Sequence, residues 1–245
     1  MKIRIKFRKY GNMKFIGHLD VMRYFQKAIR RADIPICYSG GFSPHQVMSF
    51  AAPLGVGITS NGEYVDIEVT ESGNTAEMLK RLNEQMAEGF EVTDYRLLPD
   101  DAANAMSIVA AADYTLRLRP GYEFDDVEGW IKGLLEFYKR DQILVTKKTK
   151  RGQAELDLKP LVYELRAVSD EEGPALFMKI SNGSTANIKP DMVLDAYYSF
   201  LGQERPQFAW ASCREEVYAD LASEEARAAG EHRFTPLSDL GAEIA

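Results

Sequence analysis

The chain has 245 residues, 45% hydrophobic and 27% charged, with a formal net charge of −7. That length and balance suit one large or two small globular domains with enough chain to bury a core. They exclude a membrane-spanning reading, since no apolar run approaches the ~18 residues a bilayer demands, and the opening MKIRIKFRKYGNMKF lacks the continuous apolar stretch and small-residue cleavage site of a signal peptide.

The charge is unevenly spread. Residues 1–31 hold ten Lys or Arg and one acid, Asp20, so they carry +9 and the rest of the chain −16. Such asymmetry points to an anionic partner for one face. Cys37 and Cys213 are far apart, with no CxxC spacing, which argues for a reducing cytoplasm rather than a disulfide framework. With only His18, His45 and His232 besides, a Cys/His metal site has little to draw on.

Taken in order, residues 2–9 read as a strand, with Ile3, Ile5 and Phe7 alternating with Lys2, Arg4, Lys6 and Arg8. Residues 18–32 read as a helix whose apolar stripe is Leu19, Met22, Phe25, Ile29 and Ala32 and whose other face is Arg23, Lys27, Arg30 and Arg31. Pro35 blocks its continuation. An extended, glycine-punctuated stretch follows, then the strand EYVDIEVTE, a helix capped by Asn74 or Thr75 and running to about Glu88, and the strand FEVTDYRLL after Gly89. The order β-α-β-β-α-β closes near Leu98 and is the ferredoxin-like order.

The second half repeats that order in outline. DYTLRLRP is a strand and FDDVEGWIKGLLEFYKR a helix; QILVTKKTK, PLVYELRAV and ALFMKIS are strands, and KPDMVLDAYYSFLG is a helix with Pro190 in its first turn. CREEVYADL ends the pattern. The expected class is therefore α+β, two tandem ferredoxin-like modules: 1–98 basic, 99–111 a linker, 112–221 the second module, and 222–245, rich in Ala, Glu and Ser, a flexible tail.

Residues 17–69 hold the most distinctive run. It comprises HLD followed by Met22-Arg23, then Arg30-Arg31-Ala32, Pro35, Tyr38-Ser39 and Gly41-Phe42-Ser43-Pro44. Ser49-Phe50-Ala51, Pro53-Leu54, Gly57, Ser60 and Glu63 continue it. Further on, Lys147 to Arg151 and Asp157-Leu158-Lys159-Pro160 make a basic hairpin and the strand after it. On these residues the chain resembles the radical SAM-linked (radical SAM-associated) protein family, bacterial proteins without a settled activity encoded beside or fused to a B12-binding radical SAM protein. The resemblance implies a radical SAM enzyme as partner and no cofactor on this chain itself. Two cysteines cannot supply the three thiolates of a radical SAM cluster, so the cofactor chemistry would belong to the partner.

The residues that could hold an anion fall into three clusters. The first is the helix face Arg23, Lys27, Arg30 and Arg31 with His18 before it, since guanidinium forks grip phosphates and carboxylates; a solvated helix face is the plain alternative. Asp20 or His18 at the helix start is expected to cap it. The second is SGGFSPHQ, residues 39–46, where Gly40 and Gly41 permit positive φ and the backbone amides around Ser39, Gly41, Ser43 and His45 could converge on an anion; the same residues equally make a tight turn. The third is KKTKRGQ, residues 147–153, where Lys147, Lys148 and Arg151, with Lys159 beyond, form a basic hairpin tip. The strand cations Arg4 and Lys6 are expected to be answered across the sheet by Asp66 and Glu68. The leading expectation is an accessory or substrate-presenting partner of a radical SAM enzyme, with no activity of its own, holding an anionic substrate such as RNA. A stand-alone RNA-binding or RNA-processing protein is the alternative. A nuclease built on His18 or His45 ranks last, for want of a paired base, carboxylates or metal ligands.

Overall fold

The computed structural model describes the backbone of residues 1–149, 152–183 and 186–245, and their side chains apart from those of 147–149 and 153. In chain order the elements are β1 (Lys2–Lys9), α1 (His18–Arg31), β2 (Met48–Phe50), β3 (Thr59–Glu68), α2 (Thr75–Asn83), β4 (Phe90–Leu98), α3 (Ala105–Ile108) and β5 (Val109–Leu118). They continue with α4 (Val127–Phe137), β6 (Leu144–Thr149), β7 (Gly152–Asp157), β8 (Val162–Asp170), β9 (Gly173–Ser181), α5 (Pro190–Phe200), β10 (Trp210–Asp220), α6 (Glu224–Ala228) and β11 (Phe234–Pro236). The architecture is mixed α/β, and its paired strands are antiparallel wherever the register is described. No described helix is long and apolar enough to cross a membrane.

The chain forms two compact units, residues 1–110 with 214–245, and residues 111–213. In the first unit β1 is flanked by β4 and β3, with Ile3 opposite Leu97 and Ile67. The end of β3 also pairs with β2, Ile67 opposite Met48. The local strand order is thus β4-β1-β3-β2. Alternation along β1 sends Ile3, Ile5 and Phe7 into the core, where they are at most 1% exposed. There they meet Phe25 and Ile29 of α1 and Met78 and Leu82 of α2. Phe7 and Phe25 lie 4.4 Å apart between ring centroids, with Phe50 and Phe90 around them.

Three sequence expectations change here. The buried stripe of α1 is Val21, Phe25, Ala28 and Ile29, continued by Ala32, while Leu19 is 60% exposed. The stripe runs i, i+4, i+7, i+8, i+11; Leu19 lies off it, while Met22 is partly buried against the core. Residues 99–111 are not a free linker: α3 forms there, and the Ala105 amide donates to Asp66 Oδ2 at 2.8 Å. Residues 222–245, expected as a flexible tail, fold onto the first unit. β11 pairs with β10, Leu237 is fully buried, and Leu97 and Ala242 exchange two backbone hydrogen bonds of 2.8 and 2.9 Å. Ile244 closes the segment by accepting from the Thr75 amide at 2.9 Å and donating to Thr75 Oγ1 at 2.9 Å. A few well-spaced apolar residues, Phe234, Leu237 and Ile244, anchor a segment whose average composition is polar.

In the second unit the strand order is β10-β5-β9-β8, with only the opening residues of β10, up to Cys213, belonging to this unit. β6 and β7 form a separate two-stranded hairpin. α4 starts at a capped turn in which Asp126 Oδ1 accepts from the Gly129 amide at 2.7 Å, and α5 starts on Pro190. The helices pack closely at Gly133, where a Cβ would lie 2.1 Å from Tyr197 Oη. That approach, not a turn, is why glycine sits in mid-helix.

Candidate anion-binding surface and cleft

The cations of β1 are consumed within the first unit. Arg4 is 1% exposed and holds Asp66 with Nε and Nη2 at 2.8 and 2.9 Å, and its Nη1 donates to the Leu237 carbonyl at 3.1 Å. Lys6 pairs with Glu216 at 2.6 Å rather than with Glu68, because the register sets Lys6 opposite Tyr64 and Glu68 opposite Lys2. Arg8 pairs with Glu91 at 2.9 Å. Lys2 donates to the carbonyls of Asp100 and Ala102.

α1 is different. Arg23, Lys27, Arg30 and Arg31 are all exposed along its outer side. Arg23 meets Asp20 at 3.3 Å, and Arg31 donates to the Gln85 carbonyl at 2.8 Å. The side chains of Lys27 and Arg30 make no hydrogen bond or ion pair among the described residues. The helix begins on Gly17, with no side-chain cap, so neither Asp20 nor His18 caps it as expected.

The loop 39–46 is a closed turn. Ser39 N donates to the His45 carbonyl at 2.8 Å, His45 N donates to Ser39 Oγ at 3.1 Å, and Ser39 Oγ lies 2.8 Å from His45 Nδ1. Gly41 takes φ +100°, which carries the chain around. At the tip Phe42 is fully exposed, with Ser43 beside it also in solvent, and Tyr38 at the base is 52% exposed. Gln46 Nε2 donates to the Gln26 carbonyl at 3.3 Å, tying the root of this loop to α1. Gln26 lies one helical turn from both Arg23 and Arg30. The second sequence cluster is thus anchored on the helix that carries the first.

Ser39, His45 and Gln46 also line a cleft of about 400 Å³, with Met48, Ser49, Ile67, Glu68 and Leu98 and the segment 102–104. Asp66 and Lys2 reach it too, each already partnered. The Gln46 side-chain oxygen is buried with no hydrogen-bond partner. Sequence reasoning names Ser39 and His45 but misses Gln46 as a lining residue and the cleft itself, because part of the other wall comes from residues 102–104, inside the expected linker 99–111.

The model of a family described as "Uncharacterized protein conserved in bacteria (DUF2344)" matches residues 2–190. This chain belongs to that family. No curated protein matches it. Among solved structures it is similar to a chain in "Crystal Structure of a Cbf5-Nop10-Gar1 Complex", at 10% identity, covering 88% of this chain and 48% of that one, with a TM-score of 0.45. The chain thus spans about half of that relative, and a likeness so distant carries no functional argument.

The DUF2344 match includes a second, smaller hollow lined by Lys9, His18, Phe50, Pro53, Leu54 and Glu63. The His18 ring packs edge-on against Phe50 at 5.2 Å. Beneath lies Glu63, held by Arg214 Nε and Nη2 at 2.7 and 2.5 Å. Lys9 is 2% exposed and donates to the Ile16 carbonyl at 3.0 Å; burial holds its ammonium below the ordinary lysine range, with Glu63 pulling it back up and Arg214 pushing it further down. Burial likewise raises the Tyr64 hydroxyl well above the usual phenol range, helped by Glu216, to which it donates at 2.6 Å. Arg214 and Glu216 lie past residue 190, outside the matched span, and no pattern in CREEVYADL signals that either acts inside the core.

Of the third cluster, Arg151 and the side chains of Lys147 and Lys148 lie outside the described residues. Lys159, in the second unit, has its ammonium on the Tyr138 carbonyl at 2.6 Å and its amide on Asp157 at 3.0 Å, so it braces the chain after β7. Among the described residues no group of three His, Cys, Asp or Glu stands ready to hold a metal ion.

Proposed function

We propose that this protein is an accessory module without catalysis of its own, holding single-stranded RNA for a radical SAM enzyme in the cytoplasm. The observation that carries the RNA part is the Gln46–Gln26 hydrogen bond, which ties an aromatic-tipped loop to the helix bearing Arg23, Lys27 and Arg30. Cations that track a phosphate backbone, together with aromatic rings on which bases stack, are the combination that binds single strands. The cations of β1 are engaged internally: Arg4, Lys6 and Arg8 in ion pairs, Lys2 and Lys9 on backbone carbonyls. The enzyme partner is argued from the resemblance of residues 17–69 to radical SAM-linked proteins, and the chemistry would be that of the partner's cofactor. The strand orders β4-β1-β3-β2 and β10-β5-β9-β8 support reading the two units as tandem ferredoxin-like modules.

Two measurements test the reading. Fluorescence anisotropy with short single-stranded RNA across a salt series should give affinity that falls steeply as salt rises. Anaerobic co-purification should retain a radical SAM enzyme as partner. RNA binding without enzyme retention would favour the stand-alone RNA-binding alternative, and salt-insensitive or absent RNA binding would overturn the RNA reading.

A further inference from the structure

We infer that the open edge of β8 pairs with the β8 of a second copy of this chain, antiparallel and centred on Leu165. The inference is independent of the RNA reading above.

β4 and β8 each pair with a single strand, and their outer edges differ. The outward backbone groups of β4 are answered. The Asn83 side chain bonds both the N–H and the carbonyl of Val92 at 2.8 Å, Thr75 Oγ1 donates to the Tyr95 carbonyl at 3.0 Å, and Leu97 pairs with Ala242. β8 has no such cover. It returns into β9 through the two-residue turn Glu171–Glu172, with Asp170 opposite Gly173. A turn that short is closed by a pair that exchanges its backbone hydrogen bonds, and such pairs alternate along the ladder. The backbone groups of Asp170, Val168, Arg166 and Glu164 therefore turn toward β9. Those of Leu165, Ala167 and Ser169 turn outward, where they meet no partner among the described residues.

An open edge is a template for another strand, and charged side chains are the usual means of blocking it. On β8 the charges are self-complementary. A two-fold axis at Leu165 sets Glu164 opposite Arg166 of the second copy, and Arg166 opposite its Glu164. Within one chain these two already form an exposed ion pair of 2.9 Å, so the axis builds a ring of two carboxylates alternating with two guanidiniums. Moving the centre by one residue sets Glu164 or Arg166 opposite its own copy, which is unfavourable. Asp170, the next acid on this face, is held by Arg117. Leu165 lies opposite the fully buried Met178 but is itself only half-buried at the margin of the sheet. A second Leu165 beside it extends that apolar surface. The outward N–H and carbonyl of Leu165 are the groups the axis brings together, so backbone and charge select the same register. A contact of this kind closes as a dimer and does not polymerise. A register irregularity between Val162 and Glu164 bends the start of β8, so the paired stretch is short and the dimer is expected to depend on concentration.

Sedimentation equilibrium of the full-length protein, freed of nucleic acid, tests this over a wide concentration range. Four samples accompany the wild type: Glu164→Arg, Arg166→Glu, these two variants mixed in equal amounts, and the double variant Glu164→Arg with Arg166→Glu. Both positions are exposed, and melting curves confirm that each variant folds. The wild type should pass from monomer to dimer as concentration rises. Each single variant should weaken the dimer about ten-fold or more, because it turns two opposite-charge pairs into like-charge pairs. The mixture should form a heterodimer, and the double variant should recover the homodimer. Amide exchange at Leu165 should slow as the dimer forms. A wild type that stays monomeric, a dimer that neither single variant weakens, or a weakened dimer that mixing does not restore overturns the inference. So does a dimer in which the Leu165 amide exchanges as fast as in the monomer.

Discussion

Arg214 clamps Glu63 through Nε and Nη2 at 2.7 and 2.5 Å, with the two side chains 3% and 7% exposed, and the same Nη2 also reaches the Ala52 carbonyl at 2.5 Å. The pair joins a residue from the N-terminal half of the chain to one that arrives 151 positions later. Removing one partner from a buried ion pair strands the other charge in a low dielectric, which typically costs about 3–5 kcal/mol. Glu63→Ala should therefore lower the urea midpoint sharply. The double variant Glu63→Leu with Arg214→Met should recover part of the loss, since the Arg214 charge is then not stranded, although buried Lys9 still loses its Glu63 partner. Equal destabilisation by the single and double variants would show that packing, not charge pairing, matters at this position.

Beside that pair, Lys9 sets a pH dependence. Its ammonium titrates below the ordinary lysine value of 10.5 because it is buried, partly offset by Glu63. In the window between its lowered folded value and the ordinary one, the unfolded chain binds more protons than the folded chain. Stability from this group therefore rises with pH through that window, and the full cost of the buried charge is present below it. Denaturant midpoints of the wild type and Lys9→Met, measured from neutral to alkaline pH, should converge on or move in favour of the wild type as pH rises. A constant difference would mean that Lys9 titrates alike in both states.

The sequence makes the first unit legible wherever one physical rule decides. Alternation places Ile3, Ile5 and Phe7 in the core because a strand with one buried face has period two. Asn74 caps α2, accepting from the Glu77 amide at 2.9 Å, because a side-chain acceptor there satisfies an orphan donor. Arg4 finds Asp66 because register makes them opposite. What stays hidden is what depends on distant chain returning. Lys6 chooses Glu216, Arg4 also meets the Leu237 carbonyl, and Gln46 reaches Gln26, and none of these pairs leaves a periodic trace. The candidate site divides in the same way: its charged helix face and glycine loop are visible as local patterns, while the cleft between β2 and residues 98–104 exists only once the sheet is assembled.

The folded C-terminal segment gives a sharp contrast between the composition-based expectation and the structure. Leu237 is fully buried and its carbonyl holds Arg4. Leu237→Ala should cost about 2–5 kcal/mol, as for other buried leucines. Truncation after Gly230 should abolish cooperative unfolding of the first unit by removing β11, Leu237 and the Leu97–Ala242 pairing. A flexible tail would predict an unchanged melting temperature for both variants, so differential scanning calorimetry separates the two.

Phe42 offers the cleanest separation of binding from folding. Its ring is fully exposed at the tip of the 39–46 turn, so Phe42→Ala should change stability by no more than about 0.5 kcal/mol. A ring on which a base stacks is worth about 1–3 kcal/mol of affinity, so the same variant should weaken single-stranded RNA binding by about 5- to 150-fold. Its effect should be nearly independent of salt, because stacking releases no counterions. Lys27→Ala combined with Arg30→Ala should act in the opposite sense. Each lost phosphate contact flattens the dependence of log affinity on log salt by about 0.7 for a single strand. Anisotropy titrations of the three proteins across a salt series resolve the two contributions. If Phe42→Ala binds RNA as the wild type does while the lysine–arginine variant loses slope, α1 alone holds the strand and the loop serves only to close the turn.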